Sequence, residues 1–591
     1  MNDTAKTDPS IDFDAGSVLG RIISVDTSRA VIDVDDHELL TRVSVGNLVA
    51  IKGATALEYL IGLVDRVTRE PYEEAILEEE SQEGEVPIDE GQRDLVRTVL
   101  VGTYRTVEGE RKNVLKRGAD SFPQIDREAY LIEGETLQAL MSLFAFDLGE
   151  DERLQLGHFV SDLSAEAIAD GNKLFQRHAA LLGSTGTGKS WTVALILERA
   201  AALQHPNLVV FDMHGEYGPL TDGDEAPAQG FRIAGPGDIE APGNDALFLP
   251  YWTLNQEEMQ ALLLDRSDQN APNQASRLAT HVRDLKQETL EREGKDDVLA
   301  TFTVDSPIPY TLDDLIKRLR DDDVQMVAGA KAGTEKQGPL YGKLTRFVQR
   351  LESKRDDRRN AFMLQPPPES LEYGWLADQA NRLLRSDGDQ RGIKVIDFSE
   401  VPSDVLPVVA GVLARILYNI QFWIPEGDRT PLAFVCDEAH LYLPAAENTD
   451  AIERRALAAF ERIAKEGRKY GVALFVVSQR PSDVSRTILS QCNNFIAMRL
   501  TNDKDQAVVK RFVSESLSGL VDALPLLDVG EALILGDAML LPTRIRLSKP
   551  KTEPASATRD FWTEWGTQRP EPDVIAASVE ALRRQVRIQP A

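Results

Sequence analysis

Gly183-Ser184-Thr185-Gly186-Thr187-Gly188-Lys189-Ser190 satisfies the pattern G-x-x-x-x-G-K-[ST] at every fixed position. The apolar run AALL (179–182) precedes it, and the amphipathic run WTVALILERAAAL (191–203) follows. Strand, glycine-rich turn and helix in that order make a phosphate-binding loop. The glycines let the backbone turn tightly and point its N–H groups, with the helix N-terminus, at phosphate oxygens. Gly183, Ser184, Thr185, Gly186, Thr187, Gly188, Lys189, Ser190 and the adjoining Trp191 are the expected contacts of ATP. Lys189 is expected to reach the β- and γ-phosphates and Ser190 to ligate Mg2+. The competing reading is a glycine-rich turn without a ligand.

Two hundred and fifty residues further on, LAFVCDE (432–438) reads as an apolar strand ending in two carboxylates. Asp437 is placed to hold Mg2+ through its hydration water, and Glu438 to orient and deprotonate the attacking water. A strand ending in Asp-Glu is common by itself; beside a phosphate loop it points to hydrolysis. The next apolar run, VALFVVS (472–478), leads into Gln479, which is placed to sense the γ-phosphate or hold the water, with a strand-end cap as the alternative. Arg462, Lys465, Arg468 and Lys469 gather at the end of the helical run before it. Cations there suit the helix dipole. They also suit an arginine finger, offered to a neighbouring subunit's triphosphate, for which Arg468 is the leading candidate.

Other apolar runs repeat the strand-like pattern: LVVFD (208–212), IKVIDF (393–398), FIAMRL (495–500) and ALILG (532–536). Helical segments separate them, so a mainly parallel sheet covered on both faces is expected. Between Asn255 and Asp387 the chain is charged and helical, with a Gly/Lys break at 328–338, and reads as an inserted helical subdomain. Towards the N-terminus, VLGRIISV, RAVIDV, LTRVSV, NLVAI, YLIGLVDRV and LVRTVLVGTY alternate with turn signals and suggest a small β-barrel. The acidic stretch Glu73–Glu90 reads as a solvated loop. The expected organisation is a disordered leader at 1–14, a barrel domain at 15–150, an α/β core at 151–254 and 391–550, an insertion at 255–390, and a linker with a final helix at 551–591.

The 591 residues carry a net charge of −30, which argues against a general coat for nucleic acid but leaves room for one basic channel. Two cysteines and seven scattered histidines exclude a disulfide framework and the usual cysteine-based zinc site. No basic n-region or apolar h-region opens the chain, and the longest apolar stretch, near Val408–Ile420, is interrupted by Arg415 and Asn419. A soluble, cytoplasmic protein is expected. Lys343, Arg346, Arg350, Lys354 and Arg358 form a basic stripe at helical spacing, but Glu352, Asp356 and Asp357 interleave with it. A salt-bridged face is favoured there over a DNA-phosphate track.

Taken together, GSTGTGKS, VVFDMHGEY (209–217), VCDEAHLYLP (435–444), EGRKYG (466–471), VVSQRPSDV (476–484) and CNNFIAMRLTNDKD (492–505) resemble the HerA/FtsK group of ring-forming ATPases, and HerA within it. The resemblance spans about residues 15 to 550. It implies a RecA-like (ASCE) P-loop core with a helical insertion, behind an N-terminal barrel of the HAS type that docks a partner. It also implies a homohexameric ring with ATP at subunit boundaries, and translocation of double-stranded DNA alongside a nuclease or other effector, in DNA end processing or defence against phage. Arg177 would be a second catalytic arginine acting within its own subunit, and Asp212 and Glu216 would lie near the nucleotide. Two other functions stay open: a scaffold that uses ATP to assemble and switch an effector, and a secretion or conjugation ATPase, disfavoured by the lack of a membrane anchor.

Overall fold

The computed structural model describes residues 11–15, 18–55, 58–75, 88–106, 113–119, 121–146, 148–328, 330–331, 333–387, 390–445, 451–513, 517–556 and 559–585. The chain divides into two compact units. One comprises residues 1–203, 478–482 and 492–551, the other 204–477, 483–491 and 552–591. The fold class is α/β, with parallel strands and helices following a small N-terminal β-barrel.

In the first unit, seven strands at 18–25, 29–34, 48–52, 58–75, 88–106, 113–117 and 128–132 pair in the order second, first, seventh, third, fourth, fifth, sixth. A further antiparallel pairing of the second strand with the fifth closes six of them into a barrel. Period-two alternation fills its interior with Leu19, Ile22, Ile32, Val49, Ile51, Leu60, Val64 and Val96, all buried. Three sequence expectations need correction here. LTRVSV is not a strand: Asp36 accepts the N–H groups of Glu38 and Leu39, caps a short helix His37–Leu40, and so turns the chain before the strand Leu48–Lys52. Residues 11–14 are not a disordered leader. Phe13 is 1% exposed against the rings of Tyr59 and Tyr104, and Asp14 accepts a 2.6 Å hydrogen bond from the Tyr59 hydroxyl. The acidic stretch is only in part a loop, since the backbone at 73–75 pairs with that at 88–90 in a long antiparallel arm; residues 76–87 lie outside the described residues, as do residues 1–10.

The same unit carries a sheet in the order 179–182, 494–497, 531–535, 543–547, 153–159, 166–170. Only its first pair is parallel. Asn494, 1% exposed, ties this sheet to its surroundings: Nδ2 donates to the Lys173 carbonyl at 2.8 Å and Oδ1 accepts the Ala538 N–H at 2.8 Å.

The second unit holds six parallel strands in the order 246–247, 228–233, 393–397, 208–212, 432–436, 472–478. Their central members are continuous apolar runs, as strands buried on both faces must be. Phe211, Phe398, Phe434, Tyr442 and Phe460 interlock on one face, with ring centroids 5.2 to 6.2 Å apart. Residues 256–263, 271–292, 312–324, 345–356 and 375–384 are helices, and the Gly/Lys break forms a two-stranded hairpin, 326–328 with 335–337. Helix Leu406–Trp423 is 18 residues long with a mean hydropathy of 1.3, so among the described residues one helix does reach the length and apolarity of a membrane span, contrary to expectation. It is 72% buried within the protein. Arg415 does not interrupt it, because Glu258 accepts its guanidinium through two hydrogen bonds of 2.6 and 2.7 Å and the Thr253 carbonyl accepts a third.

Candidate active site

The phosphate loop leaves strand Ala179–Leu182 and enters helix Lys189–Ala201. Gly186 and Gly188 adopt φ of 74° and 103°, a region that a side chain resists, and this is what lets the loop curl over the helix N-terminus. Thr187 is fully buried and braces the curl from inside, its hydroxyl donating to the Ser184 carbonyl at 2.8 Å. The Lys189 ammonium donates to the same carbonyl at 3.2 Å, so the lysine is folded back along the loop. Ser190 follows on the first turn, half-buried. Trp191 lies under the Lys549 ammonium, 5.5 Å from the ring centroid. Gln479 joins the loop, its Oε1 accepting a 2.5 Å hydrogen bond from the Thr185 hydroxyl. Arg177 points elsewhere: it pairs with Asp537, which also binds Arg117 at 2.8 Å.

The carboxylates belong to the second unit. Strand pairing sets Asp212 level with Asp397, and Phe211 level with Cys436, so Asp212, Asp397 and Asp437 stand side by side at the C-terminal ends of three neighbouring parallel strands. The ends of parallel strands are where α/β sheets present their chemistry. Asp437 is buried, and burial holds its carboxyl well above the usual carboxylate range, reinforced by the nearby charges of Glu438, Asp212 and Glu216. Burial likewise pushes Asp212 up to about 6, against three backbone N–H donors that pull it down and with Asp397 adding to the rise.

Glu438 carries the one departure from ordinary backbone in this group, at φ 42° and ψ 45°. A bulky residue in the left-handed region costs on the order of 1 kcal/mol and persists where surrounding structure enforces it. The enforcement is a tight turn in which the Leu441 N–H donates to the Glu438 carbonyl at 2.9 Å. The turn brings His440 Nδ1 within 3.2 Å of the Glu438 carboxylate. His440 and Asp397 escaped sequence reasoning. The DEAH run (437–440) carried a signal for the first; nothing local marked the second, which strand register alone delivers.

A buried set of carboxylates with mutually raised affinity for protons invites a cation. Among the described residues no three His, Cys, Asp or Glu are disposed as a metal cage.

Arg468 occupies the turn Gly467–Tyr470, exposed, and its side chain has no hydrogen-bond or ion-pair partner among the described residues. The Leu432 N–H donates to the Gly471 carbonyl, so this turn adjoins the N-terminal ends of the strands whose C-terminal ends carry the acids. A five-residue strand, roughly 15 Å, separates the two edges. Arg462, by contrast, is engaged by Glu466 and the Tyr418 ring. On the basic stripe Arg350 pairs with Asp265, and Arg320 claims the interleaved Glu352.

Residues 154–417 match the family model described as Helicase HerA, central domain, and residues 370–542 match Helicase HerA-like C-terminal. A probable helicase of Methanocaldococcus jannaschii is 28% identical over 452 residues, which is 75% of each chain. The DNA double-strand break repair helicase HerA of Pyrococcus furiosus is 25% identical over 426 residues, 67% of this chain and 70% of its own. Among solved structures, VirB4 of Thermoanaerobacter pseudethanolicus aligns over 69% of this chain and 99% of its own, with a TM-score of 0.45 and 18% identity.

Proposed function

The chain belongs to the HerA family over residues 154–542, and on that footing we propose that it is the ATP-hydrolysing subunit of a homohexameric ring that translocates double-stranded DNA and acts with a partner nuclease or other effector. That the protein is an ATPase follows from the family. The observation that carries the hydrolytic assignment is Glu438, held in a strained left-handed turn immediately after the buried Asp437. Strain of this kind is spent on fixing a functional side chain.

The proposed roles follow from chemistry. The backbone from Gly183 to Gly188 cradles the phosphates and Lys189 exchanges the Ser184 carbonyl for the β- and γ-oxygens. Ser190 and, through water, Asp437 hold Mg2+, which neutralises charge on the phosphates when bound. Glu438 orients the attacking water and takes its proton, with His440 fixing the carboxylate's direction. Gln479, tethered by Thr185, reports the γ-phosphate. Arg468 lies on a turn at the opposite edge of its strands from the acids of its own chain, which supports a role at a neighbour's triphosphate. Arg177 serves in its own subunit only if it exchanges Asp537 for a phosphate oxygen. The barrel is the docking module for the effector.

Support for DNA as the track comes from relatives named as helicases, one of them for double-strand break repair. The ion pair that ties Arg350 of the basic stripe to Asp265 favours a second reading, an ATP-dependent scaffold that switches an effector without moving DNA. Displacement of a triplex-forming oligonucleotide from duplex DNA separates the two. A translocase strips the third strand with ATP and fails to do so as Glu438→Gln; a scaffold leaves the triplex intact while hydrolysing ATP.

A further inference from the structure

Asp212 does more than end a strand. Its carboxylate accepts the backbone N–H groups of His214 at 3.3 Å, Glu216 at 3.0 Å and Tyr217 at 2.9 Å, so the turn that follows is wound around it. The winding drives the Tyr217 ring inside the protein, where the residue is 0% exposed. Its hydroxyl has no hydrogen-bond partner among the described residues. The carboxylates of Asp437, Asp212, Glu216 and Glu438 act on it electrostatically, each opposing its ionisation.

A tyrosine in that position needs a reason. A buried hydroxyl without a partner costs about 1–3 kcal/mol, and phenylalanine would fill the same space without that cost. Buried polar groups that lack protein partners are ordinarily satisfied by ordered water. Here the surrounding acids select what such water belongs to, because a hydrated divalent cation would satisfy the carboxylates and present water hydrogens and oxygens to the phenol at once.

We propose that Tyr217 is a positioning residue for the hydration shell of the nucleotide-bound cation, its hydroxyl hydrogen-bonding a water that Asp437 also holds. The inference rests on Asp437 as the residue that holds the hydrated magnesium. It places Tyr217 behind the acids, acting on the cation through water and touching neither nucleotide nor metal.

Thermal melting of the full chain tests this, with ADP at saturation and MgCl2 titrated, for wild type and Tyr217→Phe. In EDTA the variant is expected to melt at or above the wild-type temperature, since no hydrogen bond within the protein is lost. With ADP the Mg2+ concentration at half-maximal stabilisation should rise about tenfold, the equivalent of one hydrogen bond. Tyr418→Phe is the control. That hydroxyl is also shielded from solvent and has no hydrogen-bond partner among the described residues, but it stands near Arg462 and Glu466, so its loss should leave the Mg2+ midpoint where it was. An unchanged midpoint in Tyr217→Phe, or a loss of melting temperature in EDTA, would overturn the assignment. A wild type that gains nothing from Mg2+ with ADP would instead overturn the underlying role of Asp437.

Discussion

Glu438 and Asp212 show how much of the chemistry depends on single positions. Replacing Glu438 with Gln keeps the size, the left-handed turn and the contact with His440, but removes the proposed base. Glu438→Gln should therefore retain ATP on a filter-binding or rapid-dilution assay while hydrolysis falls by about a hundredfold or more. Normal turnover would move the base elsewhere. Asp212 gives a pH signature. Its carboxyl titrates at about 6 in the folded chain against an ordinary value of 3.8, so between those values the folded state binds more protons than the unfolded state. Stability contributed there falls as pH rises, by up to about 3 kcal/mol, and the loss is complete above the folded value. Asp212→Asn cannot titrate. Without nucleotide or Mg2+, its stability relative to wild type in thermal melts should increase from pH 4 to pH 6.5; a flat difference would show that Asp212 is ionised throughout. The phosphate loop and the Asp437-Glu438 pair were legible in sequence because their chemistry demands fixed spacing between neighbours. The strain at Glu438, and Asp397 beside Asp212, were not legible, since both come from backbone geometry and strand register.

Helix Leu406–Trp423 is the element on which the second unit's packing turns. It crosses helix Ala451–Glu466 so closely that a Cβ on Gly411 would sit 2.7 Å from the Ala456 Cα and 2.9 Å from its Cβ. Ala at 411 would improve helix propensity by about 1 kcal/mol but overpack the crossing, and the latter should win, with a net loss of about 1–2 kcal/mol. Arg415 on the same helix clamps the buried Glu258. Arg415→Ala would strand that carboxylate and cost about 3–5 kcal/mol in a urea melt, whereas the exposed pair Arg462–Glu466 should cost less than about 1. The same contrast explains which elements sequence reading found. Buried parallel strands announce themselves as apolar runs. LTRVSV mimicked one, because alternation carries no information about the Asp36 cap upstream. Phe13 was hidden too: a single aromatic in an acidic leader gives no period, yet it packs on two tyrosines from distant strands.

Assembly is the scale at which the proposed role of Arg468 can be tested. If it completes a neighbour's site, Lys189→Ala and Arg468→Ala should each abolish turnover in homogeneous preparations. Mixing the two should then restore part of it, because some boundaries combine an intact loop with an intact arginine. No recovery on mixing, with mixed assembly verified by mass, would place Arg468 outside the neighbour's site. Composition spoke least clearly at this level. The net charge of −30 hides whether a minority of cations lines a channel, and the likeness to helicases names a track without locating it. The most direct measurement is steady-state ATP turnover of the full chain with and without linear duplex DNA, across a series of salt concentrations. A DNA motor predicts turnover stimulated by duplex, a stimulation that weakens as salt rises because phosphate contacts release counterions, and no stimulation in Glu438→Gln. ATP turnover indifferent to duplex at every salt concentration would contradict it.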